Sequence, residues 1–127
     1  MRLTMALAAF AGLGLMASLS ATAAEPTMMR VIVVQTADAP AYLHELAALK
    51  TIYNKLGGTY TLRVWRATYA GTDTGAVVVT IEYANIQAFA KLQGILHTNQ
   101  EVAAEMKKLS GLRTVLSDSL YDELTEP

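Results

Sequence analysis

Between Met29 and Tyr121 the apolar positions of the 127-residue chain switch between the period of a strand and that of a helix. The order they give is strand, helix, strand, strand, helix, strand. The first strand spans Met29 to Gln35, and its Val31-Ile32-Val33-Val34 run has no polar interruption. A strand with one wet face alternates, so an unbroken run predicts burial on both faces. Asp38 then makes an N-cap, with Pro40 tolerated in the first helical turn. Tyr42, Leu46, Leu49, Tyr53 and Leu56 recur at three- and four-residue steps, which places them on one helix face. Lys55 suits the last turn and Gly57-Gly58 ends the helix in the left-handed conformation. His44 falls nearly opposite the apolar stripe and reads as a solvent-facing side chain.

The next two strands form a hairpin. Tyr60 to Tyr69 is rich in Thr, Val, Trp and Tyr, and Ala76 to Tyr83 is nearly all β-branched or aromatic. Ala70 to Gly75 between them carries Gly and Asp turn chemistry. A ladder closing with Tyr69 opposite Ala76 sets Ala67 against Val78, Trp65 against Thr80 and Arg63 against Glu82. On the other face it sets Val64 against Ile81, Thr68 against Val77 and Leu62 against Tyr83. One face is then aliphatic and suits helix packing; the other carries an aromatic, a hydroxyl and an Arg–Glu pair. A slip of one residue would exchange the two faces.

Asn85 caps a second helix whose inward residues are Phe89, Leu92 and Leu96. Thr98 and Glu101 form a capping-box pattern that opens a further helical segment. There Val102, Met106 and Leu109 face inward, Lys107 and Lys108 suit the C-terminal dipole, and Gly111 stops the helix. The last strand, about Leu112 to Tyr121, mixes apolar and polar positions as an edge strand does, and an acidic tail follows.

This order is the split β-α-β arrangement of an α+β, ferredoxin-like domain. It has a four-stranded antiparallel sheet with its first and third strands central and helices on one face. The other face retains Trp65, Val78 and residues of the first strand, an apolar surface large for a monomer. Pairing two such sheets covers it and yields a dimeric α/β barrel with an enclosed space. The candidate ligand-binding residues of that space are Arg63, Trp65, Tyr69, Val78, Thr80 and Glu82.

The N-terminus lies outside the domain pattern. Arg2, the apolar run from Leu3 to Leu19 and the small residues of Ala21-Thr22-Ala23-Ala24 read as a cleavable signal peptide. The expected organisation is a signal peptide over 1–24 and a single domain over 25–127, periplasmic or secreted, with no membrane contact after cleavage. The chain has no cysteine, so it forgoes both disulfides and a thioether-linked lipid anchor. A formal net charge of -1 and a pI near 6.1 argue against nucleic acid as a partner.

Sites for covalent or metal chemistry are not apparent. Two histidines at unrelated spacing and no cysteine make no metal site. Ser117 and Ser119 have no general base beside them, and Gly57-Gly58 lacks the flanks of a phosphate loop. No catalytic residue and no cofactor is expected.

Arg63-Val64-Trp65-Arg66-Ala67-Thr68, the Gly71 to Gly75 turn into Val77-Val78-Val79, and Ser117-Asp118-Ser119-Leu120 resemble the dimeric α/β-barrel superfamily. That group holds stress-responsive barrel proteins, NIPSNAP-like proteins and antibiotic-biosynthesis-type monooxygenases, and the likeness is greatest to small NIPSNAP-like domains. The resemblance implies a homodimer, and a fold rather than a chemistry. In the haem-degrading branch an Asn, a Trp and a His line the cavity. Trp65 and His97 offer two of these, but Met29 to Gln35 supplies no Asn. Two functions are therefore expected to compete: an exported homodimer binding a small, largely apolar molecule between its sheets, and a small barrel monooxygenase using the same cavity.

Overall fold

The structure is a computed structural model in which residues 25–124 are described, so the expected signal peptide lies outside the described residues. Its elements are β1 (Met28–Gln35), α1 (Ala39–Lys55), β2 (Thr61–Arg66), a 3-10 turn (Gly71–Asp73), β3 (Val77–Tyr83), α2 (Ile86–Thr98), α3 (Gln100–Leu112) and β4 (Thr114–Asp122). The four strands form one antiparallel sheet in the order β2-β3-β1-β4, with β1 and β3 central as expected.

The helices pack on one sheet face only. Ile32 and Val34 of β1 join Val77, Val79, Ile81 and Tyr83 of β3 beneath Tyr42, Leu46, Leu49, Ile52 and Tyr53 of α1, Leu92 of α2, and Val102 and Leu109 of α3. Alternate residues of β3 are buried and half-buried in strict sequence. The continuous apolar runs of β1 and β3 are thus covered on the helix side and only half covered on the other.

Helix termini follow local chemistry. Asp38 accepts from the Ala41 amide at 3.0 Å and Asn85 from the Ala88 amide at 2.9 Å. Gly57 has φ +78 after α1, where a side chain would be strained. The cap of α3 differs from expectation. Asn99 accepts from the Val102 amide, whereas Thr98 ends α2 and its hydroxyl donates to the Gly94 carbonyl. An amide oxygen one residue later offers the same acceptor without interrupting α2. Nor does Gly111 stop α3, which runs on to Leu112, so β4 begins at Thr114.

The hairpin register is corrected by two residues. Trp65 pairs with Val78, Arg63 with Thr80 and Thr61 with Glu82, while Val64 pairs with Val79 and Leu62 with Ile81. The cause lies in the loop. The Ala67 amide donates to the Ala76 carbonyl and the Gly75 amide to the Ala67 carbonyl, which closes the ladder there. Thr68 and Tyr69 join the loop, held by Gly71 and Gly75 at φ +57 and +92 and by the Thr74 hydroxyl on the Gly71 carbonyl. A shift of two leaves every side chain on its expected face.

Candidate functional site: the uncovered sheet face

Residues paired across antiparallel strands share a face, so the registers write out the uncovered surface as three rows. Trp65, Val78, Val33 and Ser117 form one. Arg63, Thr80, Val31 and Ser119 form the next, and Thr61, Glu82, Met29 and Tyr121 the third. Met29, Val31 and Val33 of β1 and Val78 of β3 make an apolar middle interrupted by Thr80 and Glu82 of β3, and polar or aromatic residues of β2 and β4 form the rim. Five of the six expected site residues, Arg63, Trp65, Val78, Thr80 and Glu82, lie on this face. Tyr69 does not: it sits in the loop beyond β2 and is 99% exposed.

Trp65 is 51% exposed, and its indole Nε1 donates to the Thr80 hydroxyl at 2.8 Å. Thr80 stands opposite Arg63, so the ring leans diagonally over the β2–β3 pair. The two-residue shift in register separates the expected Arg63–Glu82 pair. Arg63 opposes Thr80, Glu82 opposes Thr61, and among the described residues no ion pair joins them. Glu82 instead lines a shallow hollow of about 270 Å³ with Met29, Tyr121 and Asp122 at the far end of the sheet.

The face offers little reactive chemistry. Its titratable side chains are Arg63, Glu82 and Tyr121, and none hydrogen-bonds Trp65. His97 is exposed on α2, within the helix layer on the opposite side of the sheet, and so does not reach this face. His44 is exposed on α1, as expected. Ser117 and Ser119 sit opposite Val33 and Val31 without a base, which keeps them strand hydroxyls. Among the described residues no cluster of His, Cys, Asp or Glu has the makings of a metal site.

Sequence reasoning missed the one well-formed ion pair among the described residues. Arg30 of β1 clamps Asp118 of β4 with Nε on Oδ1 at 2.8 Å and Nη2 on Oδ2 at 2.6 Å. The two hydrogen bonds hold the Asp118 carboxyl below the usual carboxylate range. Arg30 shares the parity of Ile32 and Val34, so this pair lies on the helix side beside Tyr53 and Tyr83. Burial pushes the Tyr83 hydroxyl up to about 12. A lone Arg ahead of an aliphatic run was the signal available for it.

No family model matches the chain, and no curated protein matches it. Solved structures do. SnoaB of Streptomyces nogalater, a cofactor-independent oxygenase, matches with a TM-score of 0.60 at 14% identity, over 80% of this chain and 96% of that one. A NIPSNAP family protein of Agrobacterium tumefaciens matches with a TM-score of 0.53 at 15% identity, over 79% and 93%. A dimeric ferredoxin-like protein from an uncultured marine organism matches with a TM-score of 0.53 at 14% identity, over 81% and 100%. Identities this low speak to fold alone. The chain has the α+β, ferredoxin-like fold that these solved structures share.

Proposed function

We infer that the protein is exported and works as a homodimer that holds a small, largely apolar molecule between its two sheets. The observation that carries this reading is the uncovered face itself. Met29, Val31, Val33, Val78 and Trp65 lie side by side with no helix over them, and a single polar anchor, the Trp65–Thr80 bond, fixes the aromatic ring. A second sheet laid over this face would enclose whatever space the side chains of the two faces leave unfilled. A mostly apolar hollow with a few placed polar groups is the usual make-up of a small-molecule site. Export is supported by the sequence of residues 1–24, and no described helix is long and apolar enough to cross a membrane.

Native mass spectrometry of the protein purified from the exported fraction tests the reading. A dimer with a reproducible added mass is the expected result, with the mass lost in Trp65→Ala while the dimer remains. A monomer, or a dimer that is empty in every preparation, would refute it. The fold likeness to an oxygenase favours a second reading, a small monooxygenase on the same face. The same preparation separates the two: incubated with the dimer under air, the released compound comes back unchanged from a binder and oxygenated from an enzyme.

A further inference from the structure

We propose that the molecule held between the sheets carries a positively charged end, an amine or quaternary ammonium, and that this end sits against Glu82 and Tyr121. This rests on the binding reading above and adds the chemical class of the ligand, which that reading does not name.

The uncovered face differs from one end to the other. Trp65, Val78, Val33 and Ser117 make the row at one end. At the other, Glu82 of β3 stands between Met29 of β1 and Thr61 of β2, and Tyr121 of β4 lies beyond Met29. The end rows are separated by about 13 Å of strand. An apolar chain laid along Val33, Val31 and Met29 therefore runs from the row of Trp65 to the row of Glu82.

Glu82 is the one carboxylate of these three rows and is half-buried even in a single chain. Among the described residues no Lys or Arg pairs with it. The hollow of about 270 Å³ that it lines is completed by Thr27, Met29, Tyr121, Asp122 and Glu123, so every charge around that hollow is negative. The Glu123 amide donates to the Thr27 carbonyl at 2.9 Å, which fixes the backbone at its rim. Arg63, the cation of the three rows, is exposed on the edge strand and does not line the hollow.

The consequence comes when a second sheet covers the face. A carboxylate taken out of water without a partner is costly, and β2 lies between Glu82 and the nearer edge of the sheet. A bound cation supplies the partner. Among the described residues no group of three His, Cys, Asp or Glu is placed to hold a metal ion, so an organic cation suits the hollow better. The Tyr121 ring, 53% exposed, and the Met29 side chain offer the aromatic and apolar surface that an alkylammonium group contacts. An apolar body with one cationic end thus matches the face along its length.

Three probes with one alkyl chain test this: decyltrimethylammonium, decanol and decanoate, each added to the purified dimer below its micelle-forming concentration. Trp65, the chain's single tryptophan, reports binding by its emission, and calorimetry reports it independently. Decyltrimethylammonium should bind about tenfold tighter than decanol, and decanoate more weakly than decanol. Glu82→Gln keeps the shape and removes the charge, so the cation should lose its advantage there. Glu101→Gln, exposed on α3 across the sheet, should preserve it. Equal affinities for the cation and decanol, or an advantage that survives Glu82→Gln, overturn the cationic end and leave the binding reading standing. Decanoate binding most tightly places the polar end at Arg63 and also overturns it. A dimer that binds none of the three overturns it as well, while the added mass of the purified dimer still decides the binding reading. A chain that stays a monomer at every concentration removes both.

Discussion

The Trp65–Thr80 hydrogen bond should count for little in a single chain and for much once a second sheet covers it. Thr80→Val keeps the β-branched shape that suits a strand and removes only the acceptor of the indole N–H. On the uncovered face water replaces that acceptor, so the isolated chain should lose no more than about 0.5 kcal/mol. Beneath a facing sheet water is excluded and the N–H is left without a partner, which costs about 1–3 kcal/mol. Each dimer covers two such bonds, one from each protomer, so its dissociation constant should rise about 30-fold or more while the unfolding midpoint of the dilute protein hardly moves. Trp65 is the chain's single tryptophan, so its fluorescence reports this face alone. Its emission should shift to the blue as concentration rises through the dissociation constant, and Thr80→Val should move that transition to higher concentration. An unchanged dissociation constant, with the dilute chain losing stability instead, would refute the reasoning. The bond would then serve the hairpin, and the face would stay wet in the assembly.

Glu105 makes a pH prediction. It is 6% exposed in α3, its Oε1 lacks a hydrogen-bond partner, and Lys108 approaches Oε2 at only 3.6 Å. Glu45 of α1 beside it, then burial, hold its carboxyl above the ordinary range, with Lys108 offsetting part. A raised folded-state value means that the stabilising effect is complete below the unfolded carboxyl's value of about 4.3 and is lost as pH rises through the folded one. Urea midpoints should thus fall between pH 4 and pH 7 in the natural chain and fall less in Glu105→Gln; identical slopes would count against the buried carboxylate. At the α2–α3 junction, Asn99→Ala should cost about 1 kcal/mol by urea unfolding, because it removes the acceptor for the Val102 amide. Thr98→Ala should cost less than half of that, and equal losses would restore Thr98 as the cap.

Which parts of this molecule were legible in its sequence depended on whether local chemistry decided them. Asp38, Asn85 and Gly57 each act within a few residues of themselves, and each does what its type predicts. The strand order followed from the contrast between the aliphatic runs of β1 and β3 and the mixed residues of β2 and β4, because burial selects composition. The face of each β2 side chain was legible for a similar reason: parity survives a shift of two residues. The cross-strand partner was not, since it depends on where the loop closes. Thr68 and Tyr69 are good strand residues, and nothing in their side chains announces that Gly75 will bond to Ala67 instead. Tyr69 left the candidate site on that account, and Arg63 exchanged Glu82 for Thr80. The Arg30–Asp118 clamp was hidden more deeply. Its partners stand 88 residues apart, and β4 meets β1 through a register shift between Val33 and Val34, so parity counted along β4 from its Thr114 end inverts. Local rules therefore reach the faces of this sheet and the ends of its helices. The pairs that cross it depend on closures set by backbone bonds, which composition, though it shows that one face is left uncovered, does not encode.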